Sequence, residues 1–146
     1  MSRSPPTNNH SAASATSSAV SPTGSITVHV VRVGNPNGTL EYSPNSVVAA
    51  VGDMVQFQFA PENHTVTQST FDQPCLPVSM FTNVTGLYSG FMPVQATSTM
   101  TPTYTILINN TTPIWIYCSQ SRHCQSGMTM VINEKYILPP YSQNPC

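Results

Sequence analysis

The stretch Tyr117-Cys118-Ser119-Gln120-Ser121-Arg122-His123-Cys124-Gln125-Ser126-Gly127-Met128 sets a cysteine, a histidine and a methionine at Cys-x4-His-x4-Met spacing. A short loop running from one strand end to the next strand start can gather these side chains around one point. A thiolate, two imidazoles and a weak axial thioether are the donors of a blue-copper centre. The soft thiolate suits Cu(I) and the imidazoles suit Cu(II), so a compromise geometry lets the metal change oxidation state with little rearrangement. The second imidazole must come from elsewhere. His64 is the best placed, just past an alternating run and within Asn63-His64-Thr65-Val66-Thr67. His10 falls in a polar arm, and His29 sits early in the first strand, where a structural role is expected. One copper held by His64, Cys118, His123 and Met128 is therefore the expectation.

Plainer readings of the same residues stand beside it. His64 alone reads as a surface strand residue. Met128 alone reads as core filler, because methionine packs irregular gaps well. Four cysteines allow three pairings, so Cys118 could bridge to Cys75 or to Cys146. Zinc on His64, Cys118, His123 and Cys124 is disfavoured, since closed zinc sites space their ligands and the neighbours His123 and Cys124 tend to point apart. The joint Cys, His and Met spacing is what favours copper. Cys146 reads as an unpaired terminal thiol or one paired outside this chain.

The elements that must position these donors are strands. With 14 prolines, many β-branched residues and no sustained helical period, the chain reads as all-β. Strands are expected at Ile26 to Val33, Ser46 to Val51, Val55 to Phe59, His64 to Thr67, Thr103 to Ile108, Ile114 to Cys118 and Met128 to Ile132. Val55, Phe57 and Phe59 alternate with Gln56 and Gln58, the mark of a half-buried strand. Both faces of Ile114-Trp115-Ile116-Tyr117-Cys118 are apolar or aromatic, which suits a central strand with the Cys118 sulfur turned into the core. Trp115, Tyr117, Phe57 and Phe59 read as core. Phe71 to Met100 is expected to be irregular, and it is long enough to need pinning or a role. A disordered Ser/Ala/Thr/Pro-rich arm (1–24), one domain (25–134) and an extended tail (135–146) complete the expected organisation.

Charge is scarce across the 146 residues: four Lys or Arg, five Asp or Glu and a formal net charge of −1. No basic stripe exists to hold a nucleic-acid backbone, so no nucleic-acid partner is expected. N-x-[ST] sequons occur at Asn9, Asn37, Asn63, Asn83, Asn109 and Asn110. Asn37, Asn63, Asn83 and Asn110 read as glycosylation candidates. Adjacent strand residues point to opposite faces, so a glycan on Asn63 could sit outward while His64 points in. Sequon density, scarce charge and four cysteines favour a secretory route and an extracellular or cell-surface location. No apolar h-region follows Met1 and no apolar run is long enough to span a membrane. The end at Cys146 leaves room for a longer natural C-terminus.

The copper-loop segment resembles that of the phytocyanins, plant cupredoxins whose loop reads Cys-x4-His-Cys-x3-Met. Cys118, His123, Cys124 and Met128 match it position by position. Ser43 to Ile132 is similar to the fungal cupredoxin-like extracellular proteins described as serine-rich. Val51-Gly52-Asp53, Glu62-Asn63-His64-Thr65-Val66-Thr67-Gln68-Ser69 and Phe71-Asp72-Gln73-Pro74-Cys75 carry that likeness together with the loop. A signal peptide and a long Ser-rich tail with a lipid-anchor signal, present in such proteins, are not seen here. The resemblance implies a cupredoxin-type Greek-key β-sandwich. It implies a Cys75–Cys124 disulfide that leaves Cys118 free for metal, and His123 as the ligand edge nearest solvent, rimmed by Arg122 and Gln125. A secreted, monomeric one-electron carrier with a redox partner is the expected function. The rival is a glycosylated wall or surface protein that uses the fold as a scaffold, with copper incidental or sequestered. No acid–base pair or open coordination position argues for an enzyme.

Overall fold

A computed structural model describes residues 24–135. The expected arm, apart from Gly24, and the expected tail, apart from Lys135, lie outside the described residues, as do His10, Asn9 and Cys146. The strands are β1 (Val28–Val33), β2 (Tyr42–Ser43), β3 (Ser46–Val47), β4 (Met54–Phe59), β5 (Glu62–His64), β6 (Thr67–Ser69), β7 (Met92–Val94), β8 (Thr103–Leu107), β9 (Ile114–Tyr117) and β10 (Thr129–Ile132). One sheet runs β2-β1-β4-β8, a second runs β3-β10-β9-β6, and β5 and β7 form a two-stranded ribbon. Two pairings, β1 with β4 and β3 with β10, are parallel.

The alternation in β4 does what period two requires. Val55, Phe57 and Phe59 are buried while Met54, Gln56 and Gln58 are only half-buried. These side chains, with Val31, Val33 and Ile106 from the same sheet, meet Val47, Ile116, Met130 and Ile132 from the other in one core. The result is a β-sandwich. The central position expected for the Ile114 run holds, since β9 lies between β10 and β6.

Several expectations change. The strand expected over Ser46 to Val51 stays in its ladder only through Val47, and Val48 is 80% exposed. The run at His64 to Thr67 is two strands: β5 ends at His64 and β6 starts at Thr67. Thr65 breaks them because its polar groups bond to the Cys118 and Ser119 strand end instead of extending one ladder. Within the irregular stretch, Val78–Met80 forms a 3-10 turn and Met92–Val94 forms β7. Trp115 is not core. It lies half-buried, packed at a tilt against exposed Phe71 with a centroid distance of 4.9 Å. Tyr117, Phe57 and Phe59 are buried as expected.

Candidate metal centre

His64, Cys118 and His123 converge, and one donor atom from each lies within 4.8 Å of the others. Cys118 Sγ is 3.4 Å from His123 Nδ1 and 3.9 Å from His64 Nδ1. Both imidazoles therefore present Nδ1 to the thiol. His64 and Cys118 are each 1% exposed, whereas His123 is half-buried and forms the outer edge.

Local backbone bonds close the loop. Cys124–Ser126 is a 3-10 turn that ends at Gly127, whose φ of 103° favours a residue without Cβ. The Met128 amide then donates to the His123 carbonyl at 3.0 Å, and the Cys118 amide donates to the Met128 carbonyl at 3.2 Å. These two bonds draw the chain of Cys118, His123 and Met128 together. Met128 is fully buried in the same core cluster as Cys118.

Cys75 and Cys124 form a disulfide with a Cα–Cα distance of 5.8 Å, and Cys118 is free. The bridge ties the irregular segment to the loop holding His123. Rim residues Arg122 and Gln125 are exposed.

Around the thiol, Thr65 uses all its polar groups. Its amide points at Cys118 Sγ at 3.4 Å, and its hydroxyl accepts the Ser119 amide at 2.8 Å. That hydroxyl also lies within bonding distance of the Thr67 and Ser119 hydroxyls. Burial pushes the Cys118 thiol up, opposed by backbone hydrogen bonds from Gln120 and Thr65. Burial, then the neighbouring His123, lowers the His64 pKa. Both shifts favour neutral groups, which is the cost of collecting donors in an apolar pocket.

Gly34 backs the other edge of His64. Its φ is 78°, and a Cβ there would come within 2.8 Å of His64 Cδ2 and closer still to Nε2. Neither Gly34 nor Tyr42 stands out in the sequence as part of a site. Thr65 carries a signal only by directly following His64.

The remaining expected residues fall outside this cluster. His29 lies on β1 and pairs with Asp53 at 2.8 Å. Asn37, Asn83 and Asn110 are exposed. Asn63 is not the free outward residue expected: it is half-buried, its Oδ1 is shielded without a partner, and its sequon partner Thr65 is fully buried. No described helix is long and apolar enough to cross a membrane.

The two sheets, with a histidine–cysteine–histidine group at one end, have the architecture of a cupredoxin. No protein-family model matches the chain. It is 39% identical over 108 residues to a probable GPI-anchored cupredoxin-1 of Arthroderma benhamiae, covering 74% of this chain and 50% of that protein. It is 34% identical over 117 residues to an extracellular serine-rich protein of the same fungus, covering 80% and 44%. The chain thus spans about half the length of the curated relatives it matches. A purple cupredoxin of Nitrosopumilus maritimus is 15% identical with a TM-score of 0.52, covering 71% of this chain and 96% of that one. A mutant fern plastocyanin is 15% identical with a TM-score of 0.51, covering 70% and 96%. The likeness to these two solved structures is one of fold. With the fungal relatives, it places the chain among the fungal cupredoxin-like proteins.

Proposed function

We propose that the domain would hold one type 1 copper ion through His64, Cys118 and His123, with the Met128 thioether as a weaker fourth donor, and that it passes single electrons. The observation that carries this reading is a free, buried thiol with two imidazole Nδ1 atoms turned toward it, all within 4.8 Å. The donor set fits: a soft thiolate and two imidazoles suit copper in both oxidation states, and buried Met128 supplies a thioether from the same loop. When bound, copper supplies a one-electron Cu(II)/Cu(I) couple.

The chain's residues do the rest. Cys118 gives up its thiol proton and receives a hydrogen bond from Thr65 that draws charge from sulfur. His64 is held inside, away from water, with Gly34 at its back. His123 presents the ring edge closest to solvent and is the port for electrons, with Arg122 and Gln125 at its rim. The scarcity of charge leaves little steering of partners, so exchange with small redox partners depends weakly on ionic strength. We place the protein outside the cell or at its surface, in line with the names of its fungal relatives, and carrying N-glycans at exposed Asn37, Asn83 or Asn110.

Copper(II) titration followed by visible and EPR spectroscopy tests the reading. The expected result is one copper per chain and an intense blue or green colour that Cys118→Ser abolishes. Stoichiometric but colourless binding, with the EPR signal of an ordinary tetragonal centre, overturns it and favours a scaffold role for the fold.

A further inference from the structure

Tyr42 lies on β2, in the opposite sheet from β9, which leads into Cys118, and the metal reading gives it no task. It is 2% exposed, yet it keeps a phenol where phenylalanine would fill the same space. Its hydroxyl donates to the Thr65 carbonyl at 2.6 Å, across 23 residues of sequence. The other end of that peptide unit is held as well, because the Val66 amide donates to Ser89 Oγ at 2.8 Å. Ser89 is fixed in turn, with its amide on the Val66 carbonyl and its hydroxyl on the Gly90 carbonyl. The Thr65–Val66 peptide is thus clamped at carbonyl and amide by two side chains from different parts of the fold.

The clamp matters for the neighbouring peptide. Thr65 connects the ribbon strand carrying His64 to β6, and its own amide is the one aimed at Cys118 Sγ. A peptide plane held at both ends fixes ψ of Thr65. With the Thr65 hydroxyl anchored on the Ser119 amide, little freedom remains for the amide that faces sulfur. Burial and the nearby Cys118 and Tyr117 hold the Tyr42 pKa well above the ordinary 10.0, so the phenol remains a neutral donor.

We propose that Tyr42, with Ser89, is a positioning residue that sets the Thr65 N–H···Sγ hydrogen bond and through it the reduction potential of the metal centre. The inference deepens the copper reading and rests on it for its electrochemical part. A hydrogen bond to the thiolate withdraws negative charge from sulfur and so disfavours the more highly charged oxidised metal; hydrogen bonding at this sulfur is a recognised lever on potential. Loosening the clamp weakens that bond and lowers the potential.

Tyr42→Phe removes only the hydroxyl. Ile108→Ala is the control, since Ile108 is buried where its amide meets the Asp53 carbonyl, at the end of β4 remote from His64. Both variants should unfold at lower urea concentration. Two readouts separate positioning from stability. In metal-free protein, NMR hydrogen exchange of the Thr65 and Val66 amides should speed up in Tyr42→Phe, relative to amides in β9, and not in the control. In copper-loaded protein, voltammetry should give a lower potential for Tyr42→Phe and an unchanged one for Ile108→Ala. Ser89→Ala should move both readouts the same way, and it decides the matter if Tyr42→Phe does not fold. Unchanged Thr65 exchange or an unchanged potential in folded Tyr42→Phe (in Ser89→Ala if Tyr42→Phe does not fold), or an equal change in Ile108→Ala, overturns the proposal. If the wild type takes up no copper, the copper reading fails on its own, and the exchange arm still judges the clamp.

Discussion

Replacing Gly34 by alanine tests whether the backing of His64 is steric. At φ 78° an L-residue sits in the left-handed region, which costs alanine about 1–2 kcal/mol. The added Cβ would also stand 2.8 Å from His64 Cδ2, whereas carbon atoms rest at roughly 3.5–4.0 Å, so the ring must move by about 1 Å. A ring forced off its rotamer adds about 0.5–1.5 kcal/mol. The metal-free variant should therefore be about 1.5–3.5 kcal/mol less stable than wild type. Displacing the His64 ring from its Nε2/Cδ2 edge also shifts the Nδ1 that faces Cys118, and disturbing the support of a metal ligand typically costs about 10–100-fold in affinity. Gly52→Ala separates the two contributions, because Gly52 has φ 94° and an added methyl there would meet nothing within 4 Å. It should lose only the backbone increment and keep full copper affinity. Urea unfolding of the metal-free proteins and competitive copper titration measure both. Equal destabilisation of the two variants with equal copper affinity refutes the argument.

Removing the Cys75–Cys124 bridge as Cys75→Ser/Cys124→Ser frees a loop with a sequence separation of 49. Loop-entropy loss sets the destabilisation at about 4 kcal/mol, read from denaturant midpoints under non-reducing conditions. The His29 hydrogen bond, then the Ala50 amide, hold Asp53 below its ordinary 3.8. A depressed carboxylate pKa stabilises the fold above the unfolded value, and this increment disappears as pH falls through the lower folded value. Asp53→Asn should therefore show a flatter stability curve than wild type below about pH 4 in acid-unfolding experiments. Met128→Leu should raise the reduction potential and Met128→Gln should lower it, with the colour retained in both, because a thioether is a weak axial donor and an amide oxygen favours Cu(II). Voltammetry that finds identical potentials makes Met128 core filler.

The Cys118–Met128 loop is legible in the sequence because its geometry is local: two backbone bonds and one turn bring Cys118, His123 and Met128 together within a dozen residues. The alternation in β4 is legible for the same reason. Strands β2 and β7 are not, since two or three residues carry no period and their pairing depends on distant partners. Trp115 reads wrongly as core because an all-apolar run does not say which face turns outward, and here Phe71 covers the exposed side. The break between β5 and β6 is hidden too, because β-branched Thr65 and Val66 favour a continuous strand. Gly34 and Tyr42 reach His64 and Thr65 only after two sheets have packed, and no spacing in the chain encodes that approach.

The arrangement of cysteines also bears on how a metal-ready thiol coexists with a disulfide. Cys118 and Cys124 are close in sequence, on one loop, and in an oxidising compartment either could pair with Cys75. Thiol–disulfide exchange requires a thiolate that is accessible to an attackable sulfur. In the folded chain both conditions are denied to Cys118. It is 1% exposed, and burial raises its pKa and lowers the thiolate fraction. Cys124, the residue after His123, is already committed to Cys75. The same disulfide that anchors the irregular segment thus removes the nearest competing partner from the described part of the chain. The two sulfur roles divide by direction: Cys118 turns into the core between the histidines, and Cys124 turns toward the Cys75 loop. Adjacent positions His123 and Cys124 serve different elements, with the 3-10 turn beginning between them, and the disulfide withholds the Cys124 sulfur from a four-ligand zinc site.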